Sequence, residues 1–168
     1  MTPNPTNKSF LSNNKYQFVI ERLPNLVFFL QSITLPSISL GTVVTANPMV
    51  QLVTPSNLLS FGTLSINYIL DENMQSWFEI YNWMVNLGNP ESSDKIGNLT
   101  PVPGKLNSIT SDASLLVKTN SNNANIKFTF FDIFPTDLGE VTFISSEGQD
   151  FLTSTITFSY THYKASMI

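Results

Sequence analysis

Thr153-Ser154-Thr155-Ile156-Thr157-Phe158-Ser159-Tyr160-Thr161-His162-Tyr163 alternates along its whole length. Ile156, Phe158, Tyr160 and His162 fall on one face, and Thr153, Thr155, Thr157, Ser159 and Thr161 on the other. A period of two is the mark of a strand with one buried face. The second face is polar, uncharged and made of good strand formers.

Working outward, the same period recurs. Ile126, Phe128 and Phe130 alternate with Lys127 and Thr129, and residues 113–119 and 141–145 read as further strands. Between them, Phe134-Pro135-Thr136-Asp137-Leu138-Gly139 reads as a turn. Leu64, Ile66, Tyr68 and Leu70 alternate with Ser65, Asn67 and Ile69; Tyr16, Phe18 and Ile20 alternate with Gln17, Val19 and Glu21. After the turn signal Pro24-Asn25, Leu26-Val27-Phe28-Phe29-Leu30 reads as a returning strand that ends before Leu35-Pro36. One helix is expected, over 72–87. Asp71 stands as its cap, Glu72 in its first turn, Gly88 at its end, and Met74, Trp77, Phe78, Tyr81, Met84 and Val85 form a face to lay on a sheet. Residues 42–59, punctuated by Gly41, Pro48 and Pro55, read as a long hairpin that leaves the body. Its Val43, Val44, Met49, Val50, Leu52 and Val53 are too apolar for a merely solvated loop, so it either meets a partner or folds back on its own core. Residues 1–14 read as a flexible polar arm, and 89–112 as a polar, proline-containing loop within the single domain 15–168. Seven or so strands and one helix give a mainly β chain: an antiparallel barrel or sandwich with a flanking helix.

Charged residues are only 12% of the 168, against 42% hydrophobic. That is about half the usual charged share, and it suggests a surface meant to be covered by copies of the chain. The net charge is −4 and the eight basic residues are scattered singly, which excludes a sequence-independent grip on phosphate. No cysteine is present, and the only histidine is His162, so a zinc site of nitrogen and sulfur ligands cannot form within one chain. Asp132, Asp137 and Glu140 lie near the Phe134-Pro135 turn without the spacing of a calcium loop. Neither a catalytic constellation nor a Gly-rich phosphate loop is found, so no catalytic, cofactor or metal residue is assigned. The polar start is not a signal peptide, and the longest apolar run is too short to span a bilayer.

The order of motifs is similar to that of a known family. Asn14-Lys15-Tyr16-Gln17-Phe18-Val19-Ile20, Ser32-Ile33-Thr34-Leu35-Pro36, Asp71-Glu72-Asn73 before Trp77-Phe78 and Trp83, and Phe134-Pro135-Thr136-Asp137-Leu138-Gly139-Glu140-Val141 occur in sequence from Asn14 to Tyr163. This resembles the tail tube protein family of contractile-tailed bacteriophages. The resemblance implies a non-enzymatic virion protein, assembled in the host cytoplasm, whose subunits form stacked hexameric rings. Their joined sheets would make an inner barrel through which DNA passes unbound. Sheath, baseplate and terminator proteins would be its partners. The 42–59 hairpin would bridge rings, and the helix would cover the outside. The stripe of Thr153, Thr155, Thr157, Ser159 and Thr161 would face either the lumen or solvent. A baseplate or terminator relative, a tube of a related injection system and a monomeric binding module using Trp77, Tyr81 and Trp83 stand as alternatives.

Overall fold

The computed structural model describes residues 8–88, 109–145 and 151–168. Most of the expected 89–112 loop and the first seven residues of the expected arm lie outside the described residues. The elements run β1 (Tyr16–Ile20), α1 (Pro24–Phe28), β2 (Leu30–Thr34), β3 (Ile38–Thr45), β4 (Leu52–Phe61), β5 (Leu64–Ile69), α2 (Gln75–Gly88), β6 (Ser111–Lys118), β7 (Ala124–Leu138), β8 (Thr153–Ser159) and β9 (His162–Met167).

Strands pair along the path β1-β6-β7-β8-β5-β2, with β9 also on β7 and every pair antiparallel. The fifteen-residue β7 is the fold's hinge. Its first part pairs with β6 and β9, its last part with β8. One sheet is therefore β1, β6, early β7 and β9; the second is late β7, β8, β5 and β2. The two ends of the path meet again where the Tyr16 hydroxyl donates to the Gln31 carbonyl at 2.9 Å, so the path curls into an open barrel. Phe18, Ile20, Leu115 and Phe130 from the first sheet and Leu64, Ile66, Tyr68, Ile156 and Phe158 from the second share one core.

Four readings of strands and turns are corrected. The run 26–30 is mostly the short helix α1, with the strand starting only at Leu30. Pro24 opens that helix, where a missing N–H costs nothing, and a short apolar run carries no period that separates helix from strand. The segment Phe134–Leu138 is strand rather than turn, and its Pro135 is tolerated because late β7 has β8 on one side and, among the described residues, no strand on the other. The bend lies earlier, at Asp132, whose φ is 57° and whose N–H donates to Asp112 Oδ1 at 3.1 Å. Residues 141–145 are not strand.

The last correction concerns His162. Register is kept between β7 and the β8–β9 pair, from Phe134 opposite Ser159 to Phe131 opposite His162. Yet the chain turns a corner at Tyr160-Thr161, and the inward parity changes there. Tyr160 and Tyr163 both pack on the core, while His162 stacks on Phe131 outside it, ring centres 4.7 Å apart.

Helix α2 starts later than expected, at Gln75. Met74 precedes it with φ 52°, and Glu72 lies outside the first turn. Asp71 caps it from a distance: its carboxylate accepts from Gln75 N–H (3.1 Å), Ser76 N–H (3.4 Å) and the Ser76 hydroxyl (3.0 Å). Desolvation raises the Asp71 pKa, but these hydrogen bonds outweigh it and hold the carboxyl below its usual range. The face that α2 buries is Ser76, Ile80 and Trp83, with Met84 and Leu87 partly buried on the core. Phe78 and Tyr81, expected on that face, are exposed. Trp83 selects the rotation: its ring lies against Phe158 and under the Arg22 guanidinium, and its Nε1 donates to the Ile109 carbonyl at 3.1 Å.

Candidate functional site

Among the described residues, the hairpin of β3 and β4 pairs only with itself. Ile38 stands opposite Phe61, Leu40 opposite Leu59, Val44 opposite Val53 and Thr45 opposite Leu52. Its root is held by aromatic and hydroxyl groups. Tyr160 OH donates to the Gly62 carbonyl (2.7 Å), Tyr163 OH to the Pro36 carbonyl (3.2 Å), and Gly62 N–H to the Ser37 carbonyl (2.9 Å). Phe61 packs on Tyr163 at 5.4 Å. Burial, with a smaller contribution from Tyr163, pushes the Tyr160 pKa up to about 12. Beyond this root nothing among the described residues covers the apolar side chains. Val43, Val44, Met49, Val50, Leu52 and Val53 are all exposed, Met49 to 91%. Leu40, Leu58 and Leu59 extend the same exposed surface, although no sequence signal separated them from the hairpin's strand-forming residues.

The hydroxyl stripe lies on the outer face of the second sheet. Thr155 and Thr157 stand beside the buried Ile156 and Phe158, and Thr153 and Ser159 continue the row; Thr161 leaves it at the corner. Register adds residues from neighbouring strands: Ser65 opposite Thr157, Asn67 opposite Thr155, and Ser32 opposite Asn67. Thr155 Oγ1 donates to Asn67 Oδ1 at 2.6 Å, and Asn67 Nδ2 donates to Ser32 Oγ at 3.0 Å. The Ser65/Asn67 alternation was visible in the sequence, but strand order was needed to put it beside Thr155.

Between β1 and β2 opens a cleft of about 750 Å³, lined by residues including Tyr16, Phe18, Val27, Leu30, Gln31 and Ile33. Its described lining residues offer no carboxylate, amine or imidazole for acid–base work. No group of three or more His, Cys, Asp or Glu suited to a metal occurs among the described residues. No described helix is long and apolar enough to cross a membrane.

The fold is shared with solved structures at low identity. The anti-feeding prophage tube-terminating cap matches with TM-score 0.68 and 10% identity, covering 99% of this chain and 97% of the other. The sheath–tube complex of the extracellular contractile injection system PVC matches with TM-score 0.65 and 11% identity, covering 96% and 94%. The sheath/tube terminator of the same system gives 0.61 and 14%, covering 99% and 98%. No curated protein matches the sequence. The family described as phage tail tube protein matches residues 2–166. The chain belongs to that family and is a structural tail tube protein.

Proposed function

We propose that the chain is the repeating, non-enzymatic subunit of a tube: copies join side by side into rings, six to a ring, and rings stack around a channel for DNA. The observation that carries this reading is the hairpin, which exposes its apolar residues and pairs with no other strand among the described residues. Stacked rings would cover Val43, Val44, Met49, Val50, Leu52 and Val53. Sheath and baseplate proteins would be the partners in the virion tail.

Side-by-side joining has support in strand direction. The second sheet has four strands in strict antiparallel order, so its edges β2 and late β7 run in opposite senses. Head-to-tail joining of β2 to the next copy's late β7 would continue the antiparallel order and leave no free edge in a closed ring.

Likeness to the two terminator structures favours one second reading, a cap that forms a single ring and ends a tube. Negative-stain electron microscopy across a concentration series separates the two. Stacked rings with a central channel are expected. Single rings that never stack would move the assignment to the cap, and particles that stay monomeric at the highest concentration would refute both.

A further inference from the structure

Each of the two edges that the ring reading joins carries one residue more than the strand it is paired with. Gln31 is extra in β2, between Leu30 opposite Tyr68 and Ser32 opposite Asn67. Thr136 is extra in late β7, between Pro135 opposite Phe158 and Asp137 opposite Thr157. A bulge bends and twists an edge, which is one way a free edge is kept from indiscriminate pairing. Late β7 has two further guards, a proline without an N–H and the charge of Asp137. Neither occurs in β2, since Leu30–Thr34 holds no proline and no charge. Its guard is Tyr16. β2 has β5 on one side and, among the described residues, no strand on the other. That other side borders the cleft of about 750 Å³, lined by Gln31, Ser32 and Ile33 from β2 and by Tyr16 and Gln17 from β1. Across this opening the Tyr16 hydroxyl donates to the carbonyl of Gln31, the bulged residue, at 2.9 Å. The donor is firmly based. Tyr16 stands opposite Val117 in β6 and its ring packs on the core. The residue before it is fixed by Lys118 N–H donating to the Lys15 carbonyl and by Lys15 Nζ donating to Asn122 Oδ1, both at 2.8 Å.

We infer that Tyr16 is an assembly latch. Its hydroxyl occupies a backbone acceptor on the edge of β2 while the subunit is free, and gives way when late β7 of the next copy pairs there. This rests on the ring reading above and adds the regulation of its joint. The exchange replaces one hydrogen bond by another, because the Gln31 carbonyl passes from a hydroxyl of its own chain to an N–H of the incoming strand, and the displaced hydroxyl, at an exposed rim, turns to water. The latch therefore opposes chance pairing, while a strand that brings a full row of hydrogen bonds overcomes it. Only subunits with the latch open are competent to join, so the apparent affinity of the joint falls by the open fraction. One hydrogen bond of ordinary net strength lowers that fraction about fivefold.

Tyr16→Phe keeps the ring and removes the hydroxyl. Light scattering over a concentration series compares the unaltered chain, Tyr16→Phe, and Tyr160→Phe, which loses a comparable bond at the hairpin root. Tyr16→Phe should lower the critical concentration for assembly about fivefold and shorten the lag, and Tyr160→Phe should not lower it. Thermal melts separate a latch from a brace. Dispersed Tyr16→Phe subunits should melt below dispersed parental ones, whereas tubes of the variant should melt with parental tubes, because the bond is already broken there. An unchanged or raised critical concentration, a lowering shared equally by Tyr160→Phe, or variant tubes that melt early would overturn the latch and leave the tube reading intact. Failure of the unaltered protein to form tubes would remove the tube reading and the latch together.

Discussion

Single side chains hold the hairpin at its angle. Tyr160 donates to the Gly62 carbonyl at 2.7 Å from a partly buried position, and replacing it with phenylalanine removes one hydrogen bond while keeping the ring. Denaturant unfolding should show a loss of about 1 kcal/mol. The same hydroxyl sets an alkaline limit. Its folded pKa, near 12, lies above the unfolded value of 10, so its contribution is whole below pH 10 and is lost as pH rises from 10 towards 12. Thermal melts between those values should fall in the wild type, and that component of the fall should be missing from Tyr160→Phe. Gly139 is a second fixed point. A Cβ there would lie 2.7 Å from the Thr155 carbonyl oxygen, which is backbone and cannot swing away. Gly139→Ala should cost roughly 1–3 kcal/mol by strain at the β7–β8 end, read as a lower denaturation midpoint.

Among the elements, the hairpin and α2 show opposite outcomes of the same residue chemistry. Met49 and Leu52 are exposed, so changing both to aspartate leaves the subunit's core untouched. The double variant should melt within about 0.5 kcal/mol of the parent, as surface changes do. It should nevertheless fail to stack, because charge would be buried at an unpaired contact. Sedimentation and electron microscopy decide this; normal tubes from the double variant would remove the hairpin from stacking. On α2, periodicity identified a helix and placed Met84 on the core, but it put Phe78 and Tyr81 on the buried face, where they do not lie. Phe78 and Tyr81 are as apolar as Ile80 and Trp83, so a helix rich in aromatics all round carries too little contrast to define one buried face. The Trp83 bond to the Ile109 carbonyl, from beyond the helix, settled its rotation. Strand existence was easier to read. β1, β5, β6 and β8 alternate cleanly because each has one face on the core. Late β7 was hidden behind Pro135 and Gly139, whose turn character holds for central strands and fails on an edge.

At the scale of the whole molecule, stacking through the uncharged, apolar hairpin of residues 38–61 would make the proposed assembly a matter of apolar burial. Assembly should therefore depend weakly on sodium chloride and strongly on excluded salts. Light scattering should give a critical concentration that moves less than about twofold from low to high sodium chloride, since few ion pairs are there to screen. Sulfate should lower it by strengthening apolar burial. A critical concentration that rises steeply with sodium chloride would show that charged contacts at the first sheet or the helix govern joining instead.

By itself the sequence determined the strand-rich class, the helix that became α2, the protruding hairpin and the family, because alternation, punctuation and motif order are local and survive without neighbours. The absence of cysteine and of clustered basic residues is likewise read directly from composition. Only the tertiary structure decided that α1 replaces a strand, that β7 bends at Asp132 and exchanges partners, and that His162 leaves the core face at the Tyr160-Thr161 corner. It also brought Ser32, Asn67 and Thr155, scattered over more than a hundred positions, onto one hydrogen-bonded face. Strand order and inward parity depend on contacts between residues far apart in the chain, and no local period encodes which edge a strand will meet.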